Sequence, residues 1–122
     1  MSSGGVRVGA ALGVLDNLVP THGRAQTVDE LEAVVGLAAT VHGEWVRIHP
    51  FAYGNGRTAR VWTAFIALRF GLPPFVRVRP RPDGVPYAAV SRMSMGRPPD
   101  FEGDHQPTVN RFAHLLHEAI AE

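Results

Sequence analysis

The stretch HPFAYGNGRTAR at residues 49–60 gathers His49, Gly54, Asn55, Gly56, Arg57 and Arg60. An imidazole, with an unperturbed pKa near 6.5, suits the work of a general base at neutral pH. Glycines on both sides of an asparagine let the backbone approach a ligand closely and take positive φ, as phosphate-cradling loops require. Two guanidinium groups three residues apart on a helix can face the same anion. Donors spread over several ångströms fit a polyphosphate better than a single carboxylate. The residue types and their spacing therefore point to proton transfer beside a bound phosphate chain. Gly-Asn-Gly taken alone is an ordinary turn. The reading rests on the histidine, the loop and both arginines together, set at the start of an apolar helix.

The flanking elements decide whether these groups can meet. Thr27 and Glu30 form a capping box, the threonine hydroxyl accepting from the Glu30 amide. Leu31, Val34, Val35, Ala38, Val41, Trp45 and Ile48 then recur at helical spacing. Pro50 disfavours helical geometry at His49, so the spacing predicts a helix from about 28 to 48. A second helix is predicted from Asn55 to about Phe70, closed by Gly71 and Pro73-Pro74. Val61, Trp62, Ala64, Phe65, Ile66 and Leu68 are apolar on nearly every face, which predicts burial in the centre of a bundle. The loop then joins the C-terminal end of one helix to the N-terminal end of another. Such an N-terminus offers unpaired amides and the positive end of the helix dipole.

Beyond these, Phe75 to Arg79 alternates like an edge strand or an extended segment. Tyr87 to Met95 reads as a shorter helix, with Pro86 near its first turn, and Pro107 to Ala121 as a last amphipathic one. Residues 1–26 are Gly-rich and poorly defined; Val6 to Val8 alternates as a short strand does. No internal repeat and no domain boundary is visible, so residues 1–122 are expected to form a single, mainly α-helical domain.

Composition sets the class. The 122 residues are 45% hydrophobic and 19% charged, an ordinary globular balance. A formal net charge of +1 favours neither nucleic acid nor a membrane surface. No cysteine is present, which excludes disulfides and thiolate metal sites. No apolar run approaches a membrane span and the start lacks a signal-peptide pattern, so a cytoplasmic protein is expected. All 12 Lys+Arg residues are arginine. With abundant Ala, Gly, Val and Pro, that bias fits a GC-rich bacterial genome better than it fits a function.

The motif also resembles the signature of the Fic family (the Fic/Doc superfamily), H-P-F-x-[D/E]-G-N-G-R-x-x-R. It stands here as His49-Pro50-Phe51-Ala52-Tyr53-Gly54-Asn55-Gly56-Arg57-Thr58-Ala59-Arg60, with one fixed position different. Residues 37–48, Leu68 to Pro73 and the segment around Tyr87 also look like the family's surroundings, so the resemblance covers about 27–121. It implies a Fic-type helical bundle, with Val6 to Val19 as the only place for the family's β-hairpin flap. It implies transfer of AMP from ATP to a Tyr, Thr or Ser hydroxyl of a target protein. His49 would be the base, Gly54, Asn55 and Gly56 the anion hole, and Arg57 and Arg60 the holders of the outer phosphates. Phe51 would anchor the loop in the core.

The departure is Tyr53, where the family carries the acidic ligand of Mg²⁺. A neutral phenol is a poor ligand for that ion. Asp100 or Asp104 could supply the carboxylate instead; otherwise metal dependence is altered, or the site binds a phosphate ligand and does little chemistry. The family's inhibitory pattern [S/T]-x-x-x-E-[G/N] is not found, since Thr40 and Glu44 have the spacing but Trp45 follows. If the chain is complete, inhibition is expected from a separate antitoxin that supplies the glutamate. The readings left open are an adenylyltransferase, a Doc-like kinase and a catalytically weak nucleotide-binding module. The Doc branch usually has Lys where Gly56 stands. His114, His117 and Glu118 lack a third metal ligand and read as surface residues. His42 reads as a packed or hydrogen-bonded helix residue. Arg77, Arg79 and Arg81 read as a solvated edge.

Overall fold

The computed structural model describes residues 24–78, 82, 84–98 and 102–121. Among the described residues four helices follow one another: α1 (Val28–Ile48), α2 (Asn55–Arg69), α3 (Gly84–Met95) and α4 (Gln106–Ala121). No strand occurs among the described residues, and the chain is mainly helical. The expected flap and the Val6–Val8 strand lie outside the described residues.

Helix α1 begins as its capping box dictates. The Thr27 hydroxyl accepts from the Glu30 amide at 3.1 Å, while the Glu30 carboxylate reaches back to the Gln26 amide at 3.3 Å, one residue beyond the cap itself. The Thr27→Ala variant removes the acceptor for an orphan amide. It is expected to lower the unfolding free energy by about 1 kcal/mol, read as a lower urea midpoint at unchanged slope. Helix α1 ends at His49, which takes a left-handed conformation (φ 54°, ψ 58°) ahead of Pro50.

Helix α2 closes at Gly71, whose amide bonds to Leu68 O while the Leu72 amide bonds to Ala67 O at 2.8 Å. These crossed bonds satisfy carbonyls that the last turn would leave bare. Ala25 donates to Phe70 O at 3.0 Å, tying the segment before α1 to the far end of α2.

The centre of the fold is α1, not α2. Helix α1 packs on α2, α3 and α4, and α3 packs on α4, whereas α2 packs on α1 alone among the described helices. Small residues set the closest approach: Ala38 and Ala39 of α1 and Ala59 and Ala67 of α2 are fully buried. Phe112, Leu116, Phe75, Val76 and Tyr87 complete the core. The expected central position of α2 is thereby corrected. Val61, Trp62, Phe65 and Leu68 lie on its outer face, with Leu68 63% exposed. An all-apolar run shows only that burial is affordable on every face; which face is covered depends on partners elsewhere in the chain.

The alternating stretch after α2 is also not a strand. Phe75 and Val76 are neighbours in sequence and both are buried, which a strand's two-residue period forbids on a single covered face.

Candidate functional site

The loop between α1 and α2 is held by a side chain. The Asn55 carboxamide oxygen accepts from the Phe51 amide at 3.1 Å, and its nitrogen donates to Phe51 O at 2.6 Å. Asn55 is itself buried. This corrects one expectation. Phe51 is not a core anchor, since its ring is half exposed and rests against Trp45 at 5.8 Å between centroids. The anchor is Asn55, whose side chain is committed to the loop and leaves only its backbone amide for a ligand.

Gly54 precedes α2 with φ 82°, a conformation that side-chain-bearing residues rarely adopt. The first intrahelical bond runs from the Thr58 amide to Gly54 O. The amides of Asn55, Gly56 and Arg57 therefore have no intrahelical acceptor and open toward the loop. A methyl group on Gly56 would sit 3.2 Å from Arg60 Nη1, so the glycine leaves room for that guanidinium.

These residues share one open cavity of about 430 Å³. His49, Gly54, Asn55, Gly56, Arg57 and Arg60 all line it, so every candidate residue of the motif comes to the same place. His49 and Arg57 are exposed, while Arg60 is 8% exposed and fixed. Its Nε donates to Val78 O at 3.2 Å and its Nη1 to the Tyr87 hydroxyl at 3.3 Å, with the guanidinium 5.6 Å from the Tyr87 ring centroid. The Tyr87 hydroxyl in turn meets His42 Nε2 at 2.6 Å. His42 is fully buried, and burial, helped by Arg60 and then His105, lowers its pKa to about 3. It is neutral at physiological pH and serves as a support behind the site, in keeping with the packed, hydrogen-bonded role read from the sequence.

The far wall comes from α3. Tyr87, Ser91 and Arg92 line the cavity, spaced as one helical face. Sequence reasoning did not select Ser91 or Arg92. Their spacing is visible in the chain, but the apposition of α3 with the start of α2 is a tertiary fact.

The cavity is a poor fit for a divalent cation. Among the described residues none of those lining it carries a carboxylate. Tyr53 is 92% exposed and does not line it. Asp104 is committed elsewhere, accepting from the Gln106 amide at 3.0 Å at the start of α4; Asp100 lies outside the described residues. Among the described residues no group of three or more His, Asp or Glu side chains could hold a metal. Hard oxygen ligands are what magnesium requires. His114 and His117 are exposed on α4, with His114 paired to Glu118 at 2.8 Å, as expected of surface residues.

The fold and cavity define a helical unit whose second helix starts with open amides in a cavity that His49, Arg57 and Arg60 also line. The chain's residues 14–67 match the sequence model of the Fic/DOC family, which is the family read from the motif. Among curated proteins it is similar to "Protein adenylyltransferase fic-1" of Caenorhabditis elegans, 44% identical over 50 residues, 41% of this chain and 9% of that protein. It is also similar to "Protein adenylyltransferase Fic" of Nematostella vectensis, 44% identical over 54 residues, 43% of this chain and 13% of that protein. The "Protein adenylyltransferase Fic" of Drosophila melanogaster is 45% identical over 42 residues, 34% of this chain and 8% of that protein. The matched region thus spans about a tenth of the length of these relatives. No solved structure matches the chain at a significant level. No helix among the described residues is long and apolar enough to cross a membrane.

Proposed function

We propose that the cavity carries nucleotidyl transfer, moving AMP from ATP to a Tyr, Thr or Ser hydroxyl of a target protein. The observation that carries this reading is the shared cavity wall: an exposed imidazole, the open amides at the start of α2, and the guanidinium groups of Arg57 and Arg60. The names of the similar proteins agree with it.

In this mechanism His49 accepts the proton of the target hydroxyl as its oxygen attacks the α-phosphorus. The bond from that phosphorus to the bridging oxygen breaks, and pyrophosphate leaves. The amides of Asn55, Gly56 and Arg57 hold the oxygens of the transferred phosphate, where negative charge concentrates. Arg57 and Arg60 hold the outer phosphates and take up the charge of the leaving group. Positioning and charge stabilisation are most of what such a transfer needs. A glutamate brought by a separate antitoxin would compete for Arg60, so inhibition in trans is part of the same proposal.

Two alternatives have an observation each. The shared motif admits a Doc-like kinase, but Gly56 stands where that branch carries lysine, and its lack of a side chain accommodates Arg60. The cavity's lack of a carboxylate favours a weakly catalytic nucleotide-binding module. ATP labelled on the α or the γ phosphate, incubated with the chain, a bacterial lysate and a His49→Ala control, separates them. Transfer of α label is the expected result. Transfer of γ label identifies a kinase. Neither label with ATP still bound identifies the binding module.

A further inference from the structure

The cavity brings a set of cations that the motif alone does not contain. Arg57 and Arg60 come from α2, and Arg92 comes from α3 on the opposite wall. Arg92 and Arg57 are both exposed, and neither has a side-chain hydrogen bond or ion pair among the described residues. Arg60, in contrast, is set in place by Val78 O and Tyr87. One fixed guanidinium and two uncommitted ones thus line a space with no acid among its described lining residues.

A divalent cation brought into this space would meet the like charge of arginines from α2 and α3 and, among the described lining residues, no carboxylate. A polyphosphate free of metal carries more negative charge than its magnesium complex, and so gains more from the same arginines. We propose that this cavity binds the nucleotide polyphosphate in its metal-free form, with Arg92 as a third cationic contact in the place that a metal would otherwise fill. The proposal rests on the reading that the cavity takes a nucleotide polyphosphate, and it adds the ionic form of that ligand and a residue that holds it.

The test is a titration of the whole chain with a fluorescent ATP analogue, once in excess EDTA and once in excess magnesium chloride. Binding in EDTA is expected to be several-fold tighter than in magnesium. The Arg92→Ala variant, altered at an exposed position and checked for unchanged thermal unfolding, is expected to bind the analogue about tenfold more weakly in EDTA. It should also lose the difference between the two conditions. A fluorescent AMP analogue, lacking the outer phosphates, should bind wild type and variant alike. Tighter binding in magnesium overturns the proposal while leaving the nucleotide reading intact. Unchanged affinity of Arg92→Ala in EDTA overturns the role of Arg92. Binding in neither condition overturns the nucleotide reading and this inference together.

Discussion

Transfer of the α label is expected to fall by about a thousandfold in His49→Ala, with ATP affinity changed by no more than about twofold. The asymmetry follows from where His49 sits. It lines the cavity with the start of α2 but stands at the end of α1 and is exposed. Removing it deletes the proton acceptor and leaves the amides, Arg57 and Arg60 in place. Its left-handed backbone (φ 54°) introduces a structural side effect, because alanine is strained there by about 1 kcal/mol. His49→Asn controls for this, since asparagine tolerates that conformation yet takes no proton at neutral pH. Both variants should lose transfer equally. Retained transfer in either would show that another group is the base, and a collapse of ATP affinity in both would show that His49 shapes the site and does not act on the hydroxyl.

What the sequence made legible here was local. The Thr27–Glu30 pair and Pro50 mark the two ends of α1, and Gly71 marks the end of α2, because caps and breakers act within a few residues of themselves. The cavity-lining motif was legible for the same reason: a histidine at a helix end, glycines at a helix start and arginines one turn in share a place by connectivity alone. Three features were not legible. The outer face of α2, with Phe65 58% exposed, is as apolar as the inner one, so composition gives no direction. Asn55 has the donors for an anion, but its carboxamide also matches the amide and carbonyl of Phe51, and the loop claims it. Arg92 is one more surface-type arginine in a chain with twelve Lys+Arg residues, and only the cavity that α3 shares with the start of α2 singles it out.

Acidification from pH 6.5 to pH 5 is expected to destabilise the fold by about 2 kcal/mol through His42 alone. The sign follows from its pKa, lowered by burial first and by Arg60 and His105 after that, to about 3 from the ordinary 6.5. Between those values the unfolded chain takes up a proton and the folded one does not. The stability from keeping His42 neutral is therefore fully present above pH 6.5 and drains away as pH falls toward 3. A proton on this ring would place a cation among Phe112, Tyr87 and the Arg60 guanidinium, with Nδ1 lacking a hydrogen-bond partner among the described residues. Urea unfolding midpoints over this pH range measure the effect. His42→Gln is expected to be less stable at pH 7.5, having lost the ring's packing, but to show a much flatter decline with acid. An equal decline in both proteins would assign the acid sensitivity elsewhere. The same ring reaches the cavity, because the His42–Tyr87 bond at 2.6 Å holds the hydroxyl that receives Arg60 Nη1. In the folded chain, however, His42 takes its proton only near pH 3, so between pH 6.5 and pH 5 the neutral ring goes on supporting the Tyr87 hydroxyl and, through it, Arg60.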